Sequence, residues 1–191
     1  MAGTTEEYRD AVTLGKRVPH DGPILLEPYD PAWPSRYLAL ARKVHGALGE
    51  RVVLLEHVGS TSIPGLCAKP IIDMVLAVAD SNDEASYVPD LEAAGFELWI
   101  RETDWRAHRL LKAPGIAGNL HVFSTGCEEI GRMLRFRDWI RSHGDDRVAY
   151  EEKKRELAAR RWKHVQDYAD AKGEIVEEIL ARAFSPAGGW K

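Results

Sequence analysis

The groups best able to do chemistry are concentrated in residues 56–74, EHVGSTSIPGLCAKPIIDM. A short apolar run, VVLLEHV at residues 52–58, ends at Gly59-Ser60. A second run, IIDMVLAVA at residues 71–79, is interrupted by one carboxylate, Asp73. Both runs read as buried strands. Glycine at a strand end tolerates positive φ and lets a ligand approach the backbone. The N–H groups of the loop after Gly59, with the hydroxyls of Ser60, Thr61 and Ser62, could cradle a phosphate. An unpaired Asp73 would be costly to bury, so it should meet a cation, a metal ion or strong donors. Lys69 lies just before the Asp73 strand and can reach the same end of the sheet. The plainer reading makes Gly59-Ser60 a turn and Asp73 a helix cap.

Two histidines sit in apolar strand patterns: His57 in the first run and His121 in NLHVF. A lone strand histidine is more often a hydrogen-bonded core residue. Together with Asp73, though, the two could form a facial metal site with open positions. Strand alternation sends His57 to the face opposite Glu56 and Val58. Further cations, Arg106, His108, Arg109 and Lys112, flank the start of a later strand, and arginine suits bidentate phosphate binding. Cys67 could be a nucleophile but has no identifiable base.

The elements that must position these groups alternate. Residues 1–22 read as a loosely held arm, and residues 23–185 as one domain. Pro28, Pro31 and Pro34 enforce an extended start, Ser35 is a candidate N-cap, and Tyr37, Ala41, Val44 and Leu48 follow at helical spacing up to Gly49. DEASYVPDLEAAG reads as a helix, FELWI at residues 96–100 as a strand, and residues 107–112 and 119–124 as a hairpin around PGIAG. Residues 128–184 read as three helices, the last two marked by Tyr150, Leu157, Trp162 and by Tyr168, Ile175, Ile179, Leu180. Residues 128–183 balance 13 acidic against 13 basic side chains, which suits salt-bridged helix surfaces. The pattern predicts an α/β (α+β) fold with a helical C-terminal layer.

The 191 residues, 45% hydrophobic and 29% charged with net charge −4, exclude a collagen-like or disordered chain. A dedicated nucleic-acid binder would carry a basic excess, so no nucleic-acid partner is expected. Two cysteines, Cys67 and Cys127, make no disulfide framework. No apolar run is long enough to span a bilayer, and the N-terminus lacks a signal-peptide core, so a cytoplasmic protein without membrane contact is expected.

In EPYDPAWPSRY, EHVGSTSIPGLCAKPIIDM, NLHVF, FRDWIRSH, Tyr150 with KKRELA, and YADAKGEIVEEILARA, the chain resembles the GrpB family from about Leu26 to Ala183. The resemblance implies a nucleotidyltransferase-like mixed β-sheet with flanking helices. In that superfamily a Gly-Ser pair precedes a strand bearing Asp-x-Asp or Asp-x-Glu, and the carboxylates hold divalent metals that clamp nucleotide phosphates. The implied function is metal-dependent transfer of a nucleotidyl group from a nucleoside triphosphate to a small-molecule or protein acceptor. Asp73, His121 and Arg109 would be catalytic. Gly59, Ser60, Thr61, Ser62, Lys69 and Arg106 would bind the triphosphate. Asp73 and His121, with phosphates completing the shell, would hold Mg²⁺ or Mn²⁺. This chain departs from the pattern at Val75, where the second carboxylate would stand, and at Asn119, where the family often has the first histidine of His-x-His. The alternatives are a non-catalytic module with a degenerate metal site that binds a nucleotide or other phosphorylated small molecule, and different metal chemistry at His57, Asp73 and His121 on the same fold. The family also occurs joined to dephospho-CoA kinase, which implies a nucleotide or coenzyme context.

Overall fold

The structure is a computed structural model that describes residues 5–17, 19–113 and 115–185. Pro114, within the expected hairpin loop, and residues 1–4 and Val18 of the expected arm lie outside the described residues. Seven helices and five strands follow in order: α1 (Glu6–Val12), α2 (Trp33–Leu48), β1 (Leu54–Val58), β2 (Ile72–Val78), α3 (Val88–Ala93), β3 (Glu97–Glu102), β4 (His108–Ala113), β5 (Gly118–Ser124), α4 (Glu128–Ser142), α5 (Gly144–Ala158), α6 (Val165–Ala171) and α7 (Gly173–Ala183). Helix α2 starts two residues before the expected cap. Pro34 sits in its first turn, where a missing N–H costs nothing. Ser35 lies inside the helix, and its hydroxyl donates to the Ala32 carbonyl at 2.8 Å. Gly49 ends the helix at φ +56°.

The strands form one sheet in the order β1-β2-β5-β4-β3. β2 and β5 are parallel neighbours, and the other pairs are antiparallel. The expected hairpin is β4–β5, with Leu110 opposite His121 and Lys112 opposite Asn119. Register then assigns every side chain to a face, because strand neighbours alternate. Met74, Leu76, Leu111, Leu120 and Val122 meet α2 and α3 in the largest core cluster, which holds Trp33, Leu40, Val44 and Leu91 at 0% exposure. Each fully buried leucine there contributes roughly 2 kcal/mol or more by leaving water. On the other face, Val75, Ala77 and Phe123 pack with Ile130, Met133 and Leu134 of α4. Asp73, Asn119 and His121 share this second face, because Asp73 pairs with Asn119 and Val75 with His121.

Helices α4–α7 close the second face. Ile63 and Leu66, from the β1–β2 loop, are buried against Ile140, Tyr150 and Ile179. The second C-terminal helix ends at Ala158, before Trp162, and the third divides into α6 and α7 at Lys172-Gly173. The N-terminal stretch is a strap rather than a loose arm. It pairs Thr13 with Ile100 at the sheet edge and Gly22 with Trp162, and Arg9 of α1 bonds Asp167 and, at 2.6 Å, Asp170 of α6.

Candidate functional site

The site starts where β1 ends. Gly59 has φ +67°, and a Cβ built there would lie 2.5 Å from Oδ2 of Asp73. Only glycine lets the chain turn this closely past the carboxylate. Residues Ser60–Ser62 then form one 3₁₀ turn. Asp73 stands one residue into β2 and accepts from Asn119 Nδ2 at 2.9 Å. Burial pushes its carboxyl up, while the Asn119 amide and the charges of Lys69, Lys172 and Lys154 pull it down.

Those three lysines define the site, and two of them come from the helical layer. Lys69 reaches in from the loop before β2, as its position in the sequence suggests. Burial lowers its ammonium, and the Asp73 charge holds it up. Lys172 occupies the break between α6 and α7, and its ammonium lies 4.6 Å from the Tyr168 ring centroid. Burial brings its pKa down to about 8, against the opposing pull of Asp73 and Asp170. Lys154 of α5 is 1% exposed and donates to the Cys67 carbonyl. Burial, then the neighbouring Lys172 charge, brings it to about 7. Tyr150, one turn earlier on α5, is buried, which pushes its hydroxyl to about 12 against an opposing pull from Ser60. The charges of three lysines thus act on one carboxylate, and the local charge is net positive.

This donor set suits an anion better than a pair of metal ions. Val75, where a second carboxylate would stand, is 0% exposed in the apolar cluster under α4. On β5 the positions facing Asp73 offer an amide and an imidazole. Mg²⁺ and Mn²⁺ favour oxygen ligands, and three nearby ammoniums repel a divalent ion. Among the described residues, no group of three or more His, Cys, Asp or Glu side chains is placed to hold a metal.

His57 cannot join Asp73 and His121, because register puts it on the α2 face opposite Met74. There it stacks on Tyr37 at 4.8 Å, and its Nε2 meets Thr61 Oγ1 at 3.0 Å. Burial, with the Arg141 and Arg137 charges, lowers its pKa to about 4. His121 remains on the Asp73 face, with Nδ1 3.1 Å from Nε2 of His108.

The hydroxyls of Thr61 and Ser62 turn inward. Thr61 donates to the Ile71 carbonyl at 3.2 Å and Ser62 to the Gly59 carbonyl at 2.6 Å, so both hydroxyl protons are engaged within the protein. Arg109 is 3% exposed on the α3 face, bound to Glu84, and level with Leu76 rather than Asp73. Arg106 pairs with Glu128 at 2.9 Å, beyond the far end of β5. Lys112 shares the Asp73 face, but its ammonium lies 3.6 Å from the Trp99 ring centroid. Cys67 is 2% exposed and burial pushes its thiol up, which suits packing rather than attack.

Lys154 and Lys172 escaped the reading of the sequence, although Lys154 left a trace. Tyr150, Lys154, Leu157 and Ala158 form the buried face of α5, so a charge interrupts an apolar i, i+4, i+7 series. Lys172 left none, since only the helix break aims it at Asp73.

A five-stranded mixed sheet with Gly-Ser at the end of one strand, Asp on its neighbour and helices on both faces defines a nucleotidyltransferase-like α/β fold. The chain belongs to the GrpB family: the family model described as "GrpB protein" matches residues 23–182. It is 54% identical over 179 residues to a UPF0157 protein of Halalkalibacterium halodurans, covering 94% of this chain and 92% of that one. The crystal structure of conserved protein GrpB from Enterococcus faecalis is similar, with TM-score 0.72 and 28% identity, over 84% of this chain and 100% of that chain. A protein of Mycolicibacterium paratuberculosis named dephospho-CoA kinase is 27% identical over 197 residues, which span 88% of this chain and 48% of that protein. No helix among the described residues is long and apolar enough to cross a membrane.

Proposed function

We propose that the site around Asp73 binds the phosphate groups of a nucleotide or another phosphorylated small molecule, and does so without a metal ion. The feature that carries this reading is that the charges of Lys69, Lys154 and Lys172 all act on a single carboxylate. Charge-assisted bonds from ammonium to phosphate oxygen are worth about 1.5–3 kcal/mol each, so three make a strong site. Similarity to a dephospho-CoA kinase supports a nucleotide or coenzyme context for the ligand.

Metal-dependent nucleotidyl transfer is the competing reading, and it draws support from the Gly59-Ser60/Asp73 geometry alone. Calorimetry against ATP, GTP, CTP and UTP, with EDTA and then with Mg²⁺ or Mn²⁺, separates the two. The binding reading expects one nucleotide to bind in EDTA with no product formed. Binding only with metal, with the nucleotidyl group passing to water or a protein hydroxyl as pyrophosphate leaves, would replace it with the transferase.

A further inference from the structure

The segments that carry Asp73 and Asn119 also wall a small cavity. Arg36, Pro70, Gly115, Ile116 and Ala117 line a space of about 210 Å³. Pro70 follows Lys69 directly. The Ala117 carbonyl accepts at 2.9 Å from the N–H of Ile72, the residue before Asp73. Gly118, next after Ala117, pairs with Ile72 at the first position of β2 and β5. The cavity therefore lies off the end of the sheet at which Asp73 and Asn119 stand. At no more than about 3.6 Å per residue, the backbone of Pro70 and of Ala117 is within about 11 Å of the Asp73–Asn119 pair.

The size and lining of the cavity suit one flat ring. It is smaller than the roughly 300–1,000 Å³ that encloses a drug-sized ligand, so it takes a ring system and not a whole nucleotide. Pro70 and Ile116 supply half-buried apolar walls. Gly115 adds no bulk, and the side chain of Ala117 is small and exposed. Arg36 of α2 has one Nη 3.0 Å from Asp30 Oδ2. That carboxylate offsets the charge of the guanidinium, which disfavours it as a further phosphate ligand. Its plane stays suited to stacking on an aromatic ring. We infer that this cavity takes the base of a nucleotide whose phosphates lie at the lysines, with the ribose spanning the interval between them. The ligand is then a nucleotide rather than a phosphorylated sugar. The phosphate end of this assignment rests on the reading above; the cavity does not.

The test uses the full-length protein. Adenosine, guanosine, cytidine and uridine are added to millimolar concentration while the methyl signals of Ile116 are followed by NMR. At least one nucleoside should shift them, and Ala117→Leu, which fills the cavity from an exposed position, should abolish the shift. Arg36→Lys keeps the charge and removes the plane. In calorimetry with EDTA it should weaken the triphosphate of that nucleoside about tenfold and leave inorganic tripolyphosphate unchanged. No shift with any nucleoside, or a shift that survives Ala117→Leu, would overturn the inference. So would an unmoved triphosphate in Arg36→Lys, or equal losses for triphosphate and tripolyphosphate, which would make Arg36 a phosphate ligand. Failure of tripolyphosphate to bind the wild type would overturn the lysine site instead, and the nucleoside shifts would still decide the cavity.

Discussion

Lys172 is the residue on which the proposed site turns. Lys172→Met keeps the length and packing of the side chain and removes one ammonium. It should weaken tripolyphosphate by about 10–100-fold, the equivalent of one charge-assisted bond. The same cation is costly to hold. Its pKa is depressed to about 8 from 10.5, so the folded form gives up this proton before the unfolded chain does. Its penalty on stability is therefore complete below about pH 8 and fades as the pH rises toward 10.5. Lys172→Met should raise the melting temperature at about pH 6.5, and the gain should shrink by about pH 9.5. Anion affinity in the wild type should fall across about pH 7–8 as Lys154 and then Lys172 lose their protons. Flat affinity from pH 6 to 9 in calorimetry would count against both lysines. Gly59, Ser60, Asp73 and Lys69 were legible in the sequence, because a glycine at a strand end and a charge in an apolar strand are local anomalies. Arg106 and Arg109 look equally suited to phosphate, but their places depend on which end of a distant strand they occupy. Sheet order decides that, and spacing does not reveal it.

At the scale of elements, two connections hold the site in shape. Arg137 of α4 is 9% exposed and donates to Glu56 at 2.8 Å and to the His57 carbonyl at 3.0 Å. Arg141 donates to the Ser62 carbonyl at 2.8 Å. Together they fasten α4 to the end of β1 and to the turn that follows Gly59. Arg137→Ala leaves a carbonyl and a carboxylate short of a donor and should cost about 2–4 kcal/mol in chemical denaturation. The second connection is the strap, whose Arg9 ties α1 to α6, the helix that ends at Lys172. Arg9→Ala should speed amide exchange in residues 165–171 and weaken tripolyphosphate a few-fold; unchanged exchange there would show α6 to be held without it. The strands and the β4–β5 hairpin were visible as apolar runs between glycines. The strap was not, since few of residues 5–22 are apolar and the stretch is held instead by ion pairs and isolated bridges to distant elements. The division of α6 from α7 was hidden as well, because Tyr168, Ile175, Ile179 and Leu180 continue the apolar series across it.

Across the whole molecule, the sheet sets the main core apart from the proposed binding site. The α2–α3 face carries the main core, and the opposite face carries Asp73, Asn119 and His121 between apolar support under α4 and the helices that supply lysines. Leu76 lies on the first face at 0% exposure. Leu76→Ala should cost about 3 kcal/mol or more and leave the affinity for tripolyphosphate unaltered, which thermal melts and calorimetry on the same sample would check. The mixed fold could be read from the alternation of runs, whereas the charge of the site could not. That charge comes from positions 69, 154 and 172, the first far from the other two in sequence and brought near them only by the closure of the C-terminal helices over the sheet. The most direct measurement is calorimetry of tripolyphosphate in EDTA at about pH 6.5, where all three lysines are charged, for the wild type and Asp73→Asn. A lysine site binds the wild type without metal, and it binds Asp73→Asn at least as tightly, because the variant removes a repelling charge. Binding that waits for Mg²⁺ or Mn²⁺ and disappears in Asp73→Asn would contradict it.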